Sequence, residues 1–177
     1  MARPAKSEKV AMRRRTQSDL IVDAATRCFR RAGFDGASTQ MIADEAQLPQ
    51  SLLYRYFRDK KAIIAAVSER YLDGLLDHLE TCADGCLNRL TDRTHVNSRT
   101  DTLYFDIRAS AERCEEVGKI LNDFLVSRQK KLFEMIVNAV PDCAPQEAVR
   151  LSRLLGVVID GYCFNALTIS EIQTTHP

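Results

Sequence analysis

Ser38-Thr39-Gln40-Met41-Ile42-Ala43-Asp44-Glu45-Ala46-Gln47-Leu48-Pro49-Gln50-Ser51-Leu52-Leu53-Tyr54-Arg55-Tyr56-Phe57 is the stretch on which the fold turns. Ser38 is a good N-cap, and the short helix it opens carries Ile42, Ala43 and Ala46 inward. Pro49 sits where the chain leaves that helix for another, roughly Gln50 to Phe57. Leu53 and Phe57 are four residues apart and so share a face, which would pack on Ile42, Ala46 and Leu48. Gln50, Ser51, Tyr54, Arg55 and Tyr56 are then left outside. Two short helices with a tight join follow from these twenty residues.

Upstream, Leu20, Ile21, Ala24, Ala25, Cys28, Phe29 and Ala32 mark one face of a longer helix beginning near Thr16. Thr16 and Asp19 resemble a capping box, and Gly33 offers a left-handed stop with Phe34 just past it. Downstream, Asp59 caps a fourth helix bearing Ile63, Ile64, Val67, Leu72, Leu75, Leu76 and Leu79, which extends toward Leu90 although Gly74 and Gly85 weaken it. Thr91 to Thr100 has one apolar residue, Val96, and reads as the longest connection. Helices resume near Asp101, with a clear period from Val117 to Val140 that Pro141 ends. Pro145 and Glu147 open a last helix, Gln146 to Thr168. With no strand pattern, internal repeat or low-complexity segment, the expectation is an all-α array of about eight helices.

A longer helix followed by two short ones is the arrangement of a helix-turn-helix DNA reader. The major groove of B-DNA admits one α-helix, so a short helix held by two others can present side chains to base edges. Gln50 to Tyr56 is the candidate. Glutamine pairs bidentately with adenine, and tyrosine offers a ring for a thymine methyl and a hydroxyl for phosphate. Periodicity alone serves plain packing equally well.

The run Gly33-Phe34-Asp35-Gly36-Ala37-Ser38-Thr39, then Ile42-Ala43 and Ala46, then Leu53-Tyr54-Arg55-Tyr56-Phe57-Arg58-Asp59-Lys60-Lys61-Ala62-Ile63, resembles the N-terminal domain of the TetR (tetracycline repressor) family. The match spans roughly Thr16 to Val67. It implies a homodimeric, all-α transcriptional regulator, usually a repressor, whose C-terminal domain binds a small molecule and dimerises through a four-helix bundle. Gln40, Gln50, Ser51 and Tyr54 match family positions that touch bases. Thr39, Arg55, Tyr56 and Lys60 match positions that touch phosphates; Lys60 also follows the helix 4 N-cap, where backbone amides face an anion. The sequence departs from the family at the turn, where Ala-Gly-Val-Ser becomes Ala46-Gln47-Leu48-Pro49. Gln47 is therefore expected to take a glycine's backbone conformation.

Length and charge agree with two small domains. The 177 residues carry 25 basic and 24 acidic side chains, a formal charge of +1. Residues 1–61 hold 13 basic against 7 acidic groups, and residues 62–177 hold 12 against 17. Arg3, Lys6, Lys9, Arg13, Arg14 and Arg15 make the first fifteen residues a cationic arm suited to phosphates. The expected division is a flexible basic arm (1–15), a helix-turn-helix DNA-binding domain (16–61), and a helical effector-binding and dimerisation domain (62–177). In the last, Leu103, Tyr104, Phe105, Phe124 and Phe133 are candidate pocket lining, each also ordinary core. Leu151, Leu155, Val158 and Tyr162 are candidate dimer contacts, with Gly156 and Gly161 allowing close helix approach.

No long apolar run and no leader-like segment appear, so a cytoplasmic protein without a membrane partner is expected, its six cysteines reduced. His78, Cys82 and Cys86, spaced four and four, would suit a thiol-redox or soft-metal sensor, with Cys114 able to join; the same spacing suits a core face and is read so. No cofactor or metal is expected. Nor is an enzyme: H-E-x-x-H and G-x-S-x-G are absent, Gly156 and Gly161 lack the Lys and Ser or Thr of a phosphate loop, and His78, His95 and His176 have no catalytic spacing. A small helical enzyme is the remote alternative.

Overall fold

A computed structural model describes the backbone of residues 6–83 and 102–172, with side chains from 17 to 77, at 79, and from 102 to 160. Seven helices lie among the described residues, with no strand: α1 (Lys6–Gly36), α2 (Thr39–Glu45), α3 (Gln50–Tyr56), α4 (Lys60–Ala83), α5 (Thr102–Ala111), α6 (Glu115–Ala139) and α7 (Pro145–Ile172). The expected continuation of the fourth helix to Leu90 and the connection Thr91 to Thr100 lie outside the described residues.

α1 starts at Lys6, not at Thr16. The cationic stretch 6–15 is thus helical, and Thr16 lies inside α1 rather than at its start. The reason is local: Lys, Glu, Ala, Met and Arg dominate this stretch, and no Gly or Pro follows Pro4 until Gly33. The helix is broken at Gly33 (φ 71°, ψ 171°). Positive φ was expected there, but ψ is extended rather than left-handed helical, a region open essentially only to glycine. One further turn follows, closed by Ala37 N–H on the Gly33 carbonyl (3.2 Å).

The chain forms two compact units. The first holds Met1–Arg70 with Thr102–Ile120, and the second Tyr71–Asp101 with Leu121–Pro177. In the first, Ile21, Ala24, Ala25, Cys28 and Phe29 of α1 are fully buried with Ile42, Ala43, Leu53 and Ile63. Leu20, expected on this face, is 48% exposed, and Val22 is buried in its place. α5 packs on α1 and contributes Leu103, Tyr104 and Ile107 to the core. α5 thus buries its apolar face within the first unit. In the second unit, Gly156 of α7 faces Arg128 and Leu132 of α6, both 3.7 Å from where its Cβ would stand. The Arg128 guanidinium pairs with Asp160 (2.7 and 3.2 Å) and Gln129 Nε2 donates to Ser152 Oγ (2.7 Å), joining α6 to α7.

The joint between α2 and α3 is a left-handed helix stop. Gln47 has φ 56°, Leu48 N–H reaches back to the Ala43 carbonyl (2.9 Å), and Gln47 N–H reaches Asp44 (3.1 Å). A side chain at this conformation costs roughly 1–2 kcal/mol. Gln47→Gly is expected to raise stability by about 0.5–1 kcal/mol, part of the relieved strain being offset by backbone entropy. Gln47→Val should lower it. Urea unfolding of the three proteins checks the order; a glycine variant no more stable than the valine variant would refute the strain.

Candidate nucleic-acid interface

α3 is seven residues long and starts at Pro49 without a side-chain cap. A helix this short has little stability of its own, so it depends on Leu53, which is fully buried, and on Phe57 behind it. That burial fixes the opposite face. Ser51, Tyr54 and Arg55 are exposed, Gln50 and Tyr56 half-buried. Of the expected site residues of α3, Ser51, Tyr54 and Arg55 are thus turned toward solvent, and Gln50 and Tyr56 only in part.

α2 is better anchored. Ser38 Oγ accepts from Met41 N–H (3.1 Å), as expected of the cap. At the far end Glu45 accepts from Arg27 Nε and Arg31 Nη2 of α1, both at 2.6 Å. The Arg27 hydrogen bond, then that of Arg31, holds the Glu45 carboxyl below its usual range. The start of α4 is capped by Asp59, whose Oδ1 accepts from Ala62 N–H (2.8 Å).

Across the two short helices the outward side chains are already connected. Gln50 Nε2 donates to Thr39 Oγ1 (3.0 Å), and the same hydroxyl is hydrogen-bonded to Tyr54 OH (3.1 Å). Thr39, assigned from its matching position to phosphate, is here the hub that orients two candidate base contacts. Gln40 is exposed and donates through Nε2 to Asp44 Oδ1 (2.7 Å). Since a carboxylate only accepts, this fixes which way the Gln40 amide points and leaves its carbonyl oxygen outward. Asp44 was not singled out in the sequence, although its spacing of four from Gln40 on a helix was visible. Lys60 is half-buried and donates to the Asp35 carbonyl (3.3 Å), tying the start of α4 to the tail of α1.

This constellation, two short helices on a long one with a polar outer face on the second, meets four findings from known proteins. Residues 21–67 match the family model described as bacterial regulatory proteins, tetR family. The helix-turn-helix region of this chain is thus similar to that of the family. It is 28% identical over 171 residues to the HTH-type transcriptional repressor Rv1474c of Mycobacterium tuberculosis, covering 89% of this chain and 84% of that one. To the HTH-type nicotine-responsive transcriptional repressor HdnoR of Paenarthrobacter nicotinovorans it is 26% identical over 152 residues, covering 80% and 78%. A TetR transcription regulator from Haloarcula marismortui has the same fold, with a TM-score of 0.73 at 21% identity over 88% of each chain. These TetR-family relatives are transcriptional regulators and not enzymes.

The other expected residues fall in two places. Leu103 and Tyr104 are buried and Phe105 half-buried in the unit that carries the TetR-type helices; Phe124 is buried and Phe133 half-buried in the other unit. Leu151 and Leu155 are half-buried, whereas Val158 is 61% exposed. The side chains of Tyr162, His78 and Cys82, and the whole of Cys86, lie outside the described residues. Cys114 is half-buried at the turn between α5 and α6, and Cys28 is a core residue whose thiol burial pushes up, away from thiolate chemistry. Among the described residues no group of His, Cys, Asp and Glu is arranged to hold a metal, and no helix is long and apolar enough to cross a membrane.

Because Glu45 has a depressed pKa in the folded chain, its contribution to stability is complete above the ordinary glutamate range. It is lost as pH falls through the lower folded value. Glu45→Gln should therefore flatten the acid limb of the stability curve and leave the alkaline limb alone. Denaturation midpoints between pH 3 and pH 7 check it; parallel curves for the two proteins would refute the clamp.

Proposed function

We propose that this chain is a ligand-released repressor that binds a pseudo-palindromic DNA operator as a homodimer, in the cytoplasm. The observation that carries the reading is the division of α3: Leu53 is fully buried while Ser51, Tyr54 and Arg55 are exposed, so the helix is held from behind and offered from the front. Gln40, Gln50, Ser51 and Tyr54 read base edges in this proposal, with Gln50 aimed by Thr39. Arg55, Tyr56 and Lys60 face phosphates, and Thr39 meets both tasks. Two such helices in successive major grooves would stand about 34–36 Å apart.

Dimerisation is supported by an apolar surface on the second unit. Leu154 (62% exposed), Val157 (68%) and Val158 (61%) form a stripe on α7, and Val126 (62%) and Val137 (40%), eleven apart, share a face of α6. Adjacent exposed aliphatic residues of this kind mark an interaction surface. Of the expected contacts whose side chains are described, Val158 lies on this stripe. Leu151 and Leu155 stand three residues before Leu154 and Val158 and are half-buried, so the proposed interface is centred on Leu154, Val157 and Val158.

The effector pocket is assigned to the unit of Phe124 and Phe133, since Leu103 and Tyr104 are taken up by packing of α5 on α1. The name of one relative, a nicotine-responsive repressor, supports a small organic effector. Release would follow if the effector favours a mis-spaced dimer by a few kcal/mol.

A mobility-shift assay on DNA flanking the protein's own gene tests the reading: a specific complex at moderate salt is expected, and binding no tighter than to random DNA would overturn it. On that operator, Gln50→Ala should relax preference at one base pair by about 1–3 kcal/mol. Thr39→Val should mimic part of that loss and Thr39→Ser should not; equal losses on specific and random DNA would return Thr39 to a pure phosphate role. Leu154→Glu should convert the dimer to a folded monomer in sedimentation and weaken operator binding; a persistent dimer would place the interface elsewhere.

A further inference from the structure

We propose that Asp44 is a positioning residue that sets which bases Gln40 accepts. It turns the Gln40 amide so that an acceptor faces the DNA, and so selects a base with an amino group in the major groove, adenine or cytosine, against guanine or thymine. The inference rests on the DNA-binding reading above. Its starting point is the hydrogen bond from Gln40 Nε2 to Asp44 Oδ1 (2.7 Å), within α2. Glutamine and aspartate four residues apart form a favourable pair on one helix face. A glutamine amide donates from one end and accepts at the other, and rotation of its terminal bond exchanges them. A carboxylate admits only the donor end, since reversal would set two acceptors against each other.

This constraint is particular to Gln40. Gln50 meets the Thr39 hydroxyl (3.0 Å), and a hydroxyl both donates and accepts, so that partner tolerates either end of the Gln50 amide. The same hydroxyl is hydrogen-bonded to Tyr54 OH (3.1 Å), which ties the first turn of α2 to α3 on the side where Tyr54 is exposed. Gln40, also exposed, follows Thr39 directly.

Helix stability does not account for the Asp44 carboxylate. It stands in the last turn of α2, where the carbonyl end of the helix disfavours an anion. Its neighbour Glu45 offsets the same cost through Arg27 and Arg31, while Asp44, exposed, joins no ion pair among the described residues. An anion on a surface that meets phosphates also weakens attraction to any DNA. A gain in discrimination offsets both costs. In the major groove adenine offers N6 as donor and N7 as acceptor, cytosine offers N4 as donor, and guanine and thymine offer acceptors alone. With its orientation held, Gln40 accepts through Oε1 from either amino group, and the second hydrogen on Nε2 stays available for adenine N7. Against guanine O6 or thymine O4 the outward oxygen meets another acceptor, and the carboxylate opposes the rotation that would relieve it.

The test is selection by the full chain from duplexes with randomised bases, for the unaltered protein, Gln40→Ala, Asp44→Ala and Asp44→Asn. Gln40→Ala locates the base pair that Gln40 reads. There the unaltered protein should prefer adenine or cytosine on one strand about tenfold over the two reversed pairs. Both Asp44 variants should reduce that preference to about twofold, leave the other positions unchanged, and bind random DNA at least as tightly. Asparagine separates orientation from shape, because it is isosteric but offers the Gln40 amide a donor as well as an acceptor. An unchanged preference in the Asp44 variants, no position altered by Gln40→Ala, or base pairs grouped in any other way would overturn the proposal. So would a loss on random DNA as large as that on the selected operator. If the unaltered protein selects no consensus, the DNA-binding reading falls and this inference with it. Without DNA, the two Nε2 proton resonances of Gln40 should lie further apart in the unaltered protein than in Asp44→Ala. Equal separations would remove the orienting bond whatever the operator.

Discussion

The burial of Leu53 is the constraint on which the reading surface depends. A seven-residue helix pays nearly the whole cost of nucleation for few internal hydrogen bonds, and α3 lacks even a side-chain cap at Pro49. Its position is therefore set from outside, by one fully buried leucine and by its packing on α2. The consequence is functional as well as structural. A helix fixed by one face has its opposite face decided, and that face carries Ser51, Tyr54 and Arg55.

The polar contacts around α3 refine what burial establishes. Glu45 between Arg27 and Arg31 sets the tilt of α2 on α1, and the left-handed Gln47 sets the angle at which α3 departs. The Thr39 hydroxyl then links the two helices through Gln50 and Tyr54. Each of these interactions is weak in water, and exposed ion pairs contribute little to stability. Their joint effect is on geometry, because side chains that have already lost rotamer freedom in the free protein lose less on meeting a partner.

Features with a local cause were legible in the sequence. The Ser38 and Asp59 caps, the positive φ of Gly33 and the inward face of α3 each follow from a few adjacent residues, whereas the positive φ of Gln47 follows only from the family's glycine at that position of the turn. The start of α1 was missed because Thr16 and Asp19 make a plausible cap while the helix-forming stretch before them argues for continuation; continuation prevailed. On α7, Leu151 and Leu155 have the same spacing of four as Leu154 and Val158, and only burial distinguishes the half-buried pair from the exposed one. The approach of the Asp106 carboxylate to Gly33 has no signature at all, since it joins residues more than seventy positions apart. The Gln40–Asp44 pair did have one, a spacing of four on a short helix.

Charge shows most clearly how packing changes a sequence-level argument. The excess of cations in residues 1–61 reads as a surface made for phosphates. Yet Arg27 and Arg31 are turned to Glu45, Arg58 leans toward Asp59 and Glu116, and Lys60 donates to a backbone carbonyl. Arg70, nine residues past that boundary, is likewise held by Asp19 and Asp23. Among the described residues, Arg55 at the end of α3 and Lys61 in the first turn of α4 are exposed. In the DNA-binding reading proposed above, charge concentrated near α3 would orient an approaching duplex toward the helix that reads it, which a uniform positive charge of the same total would not do.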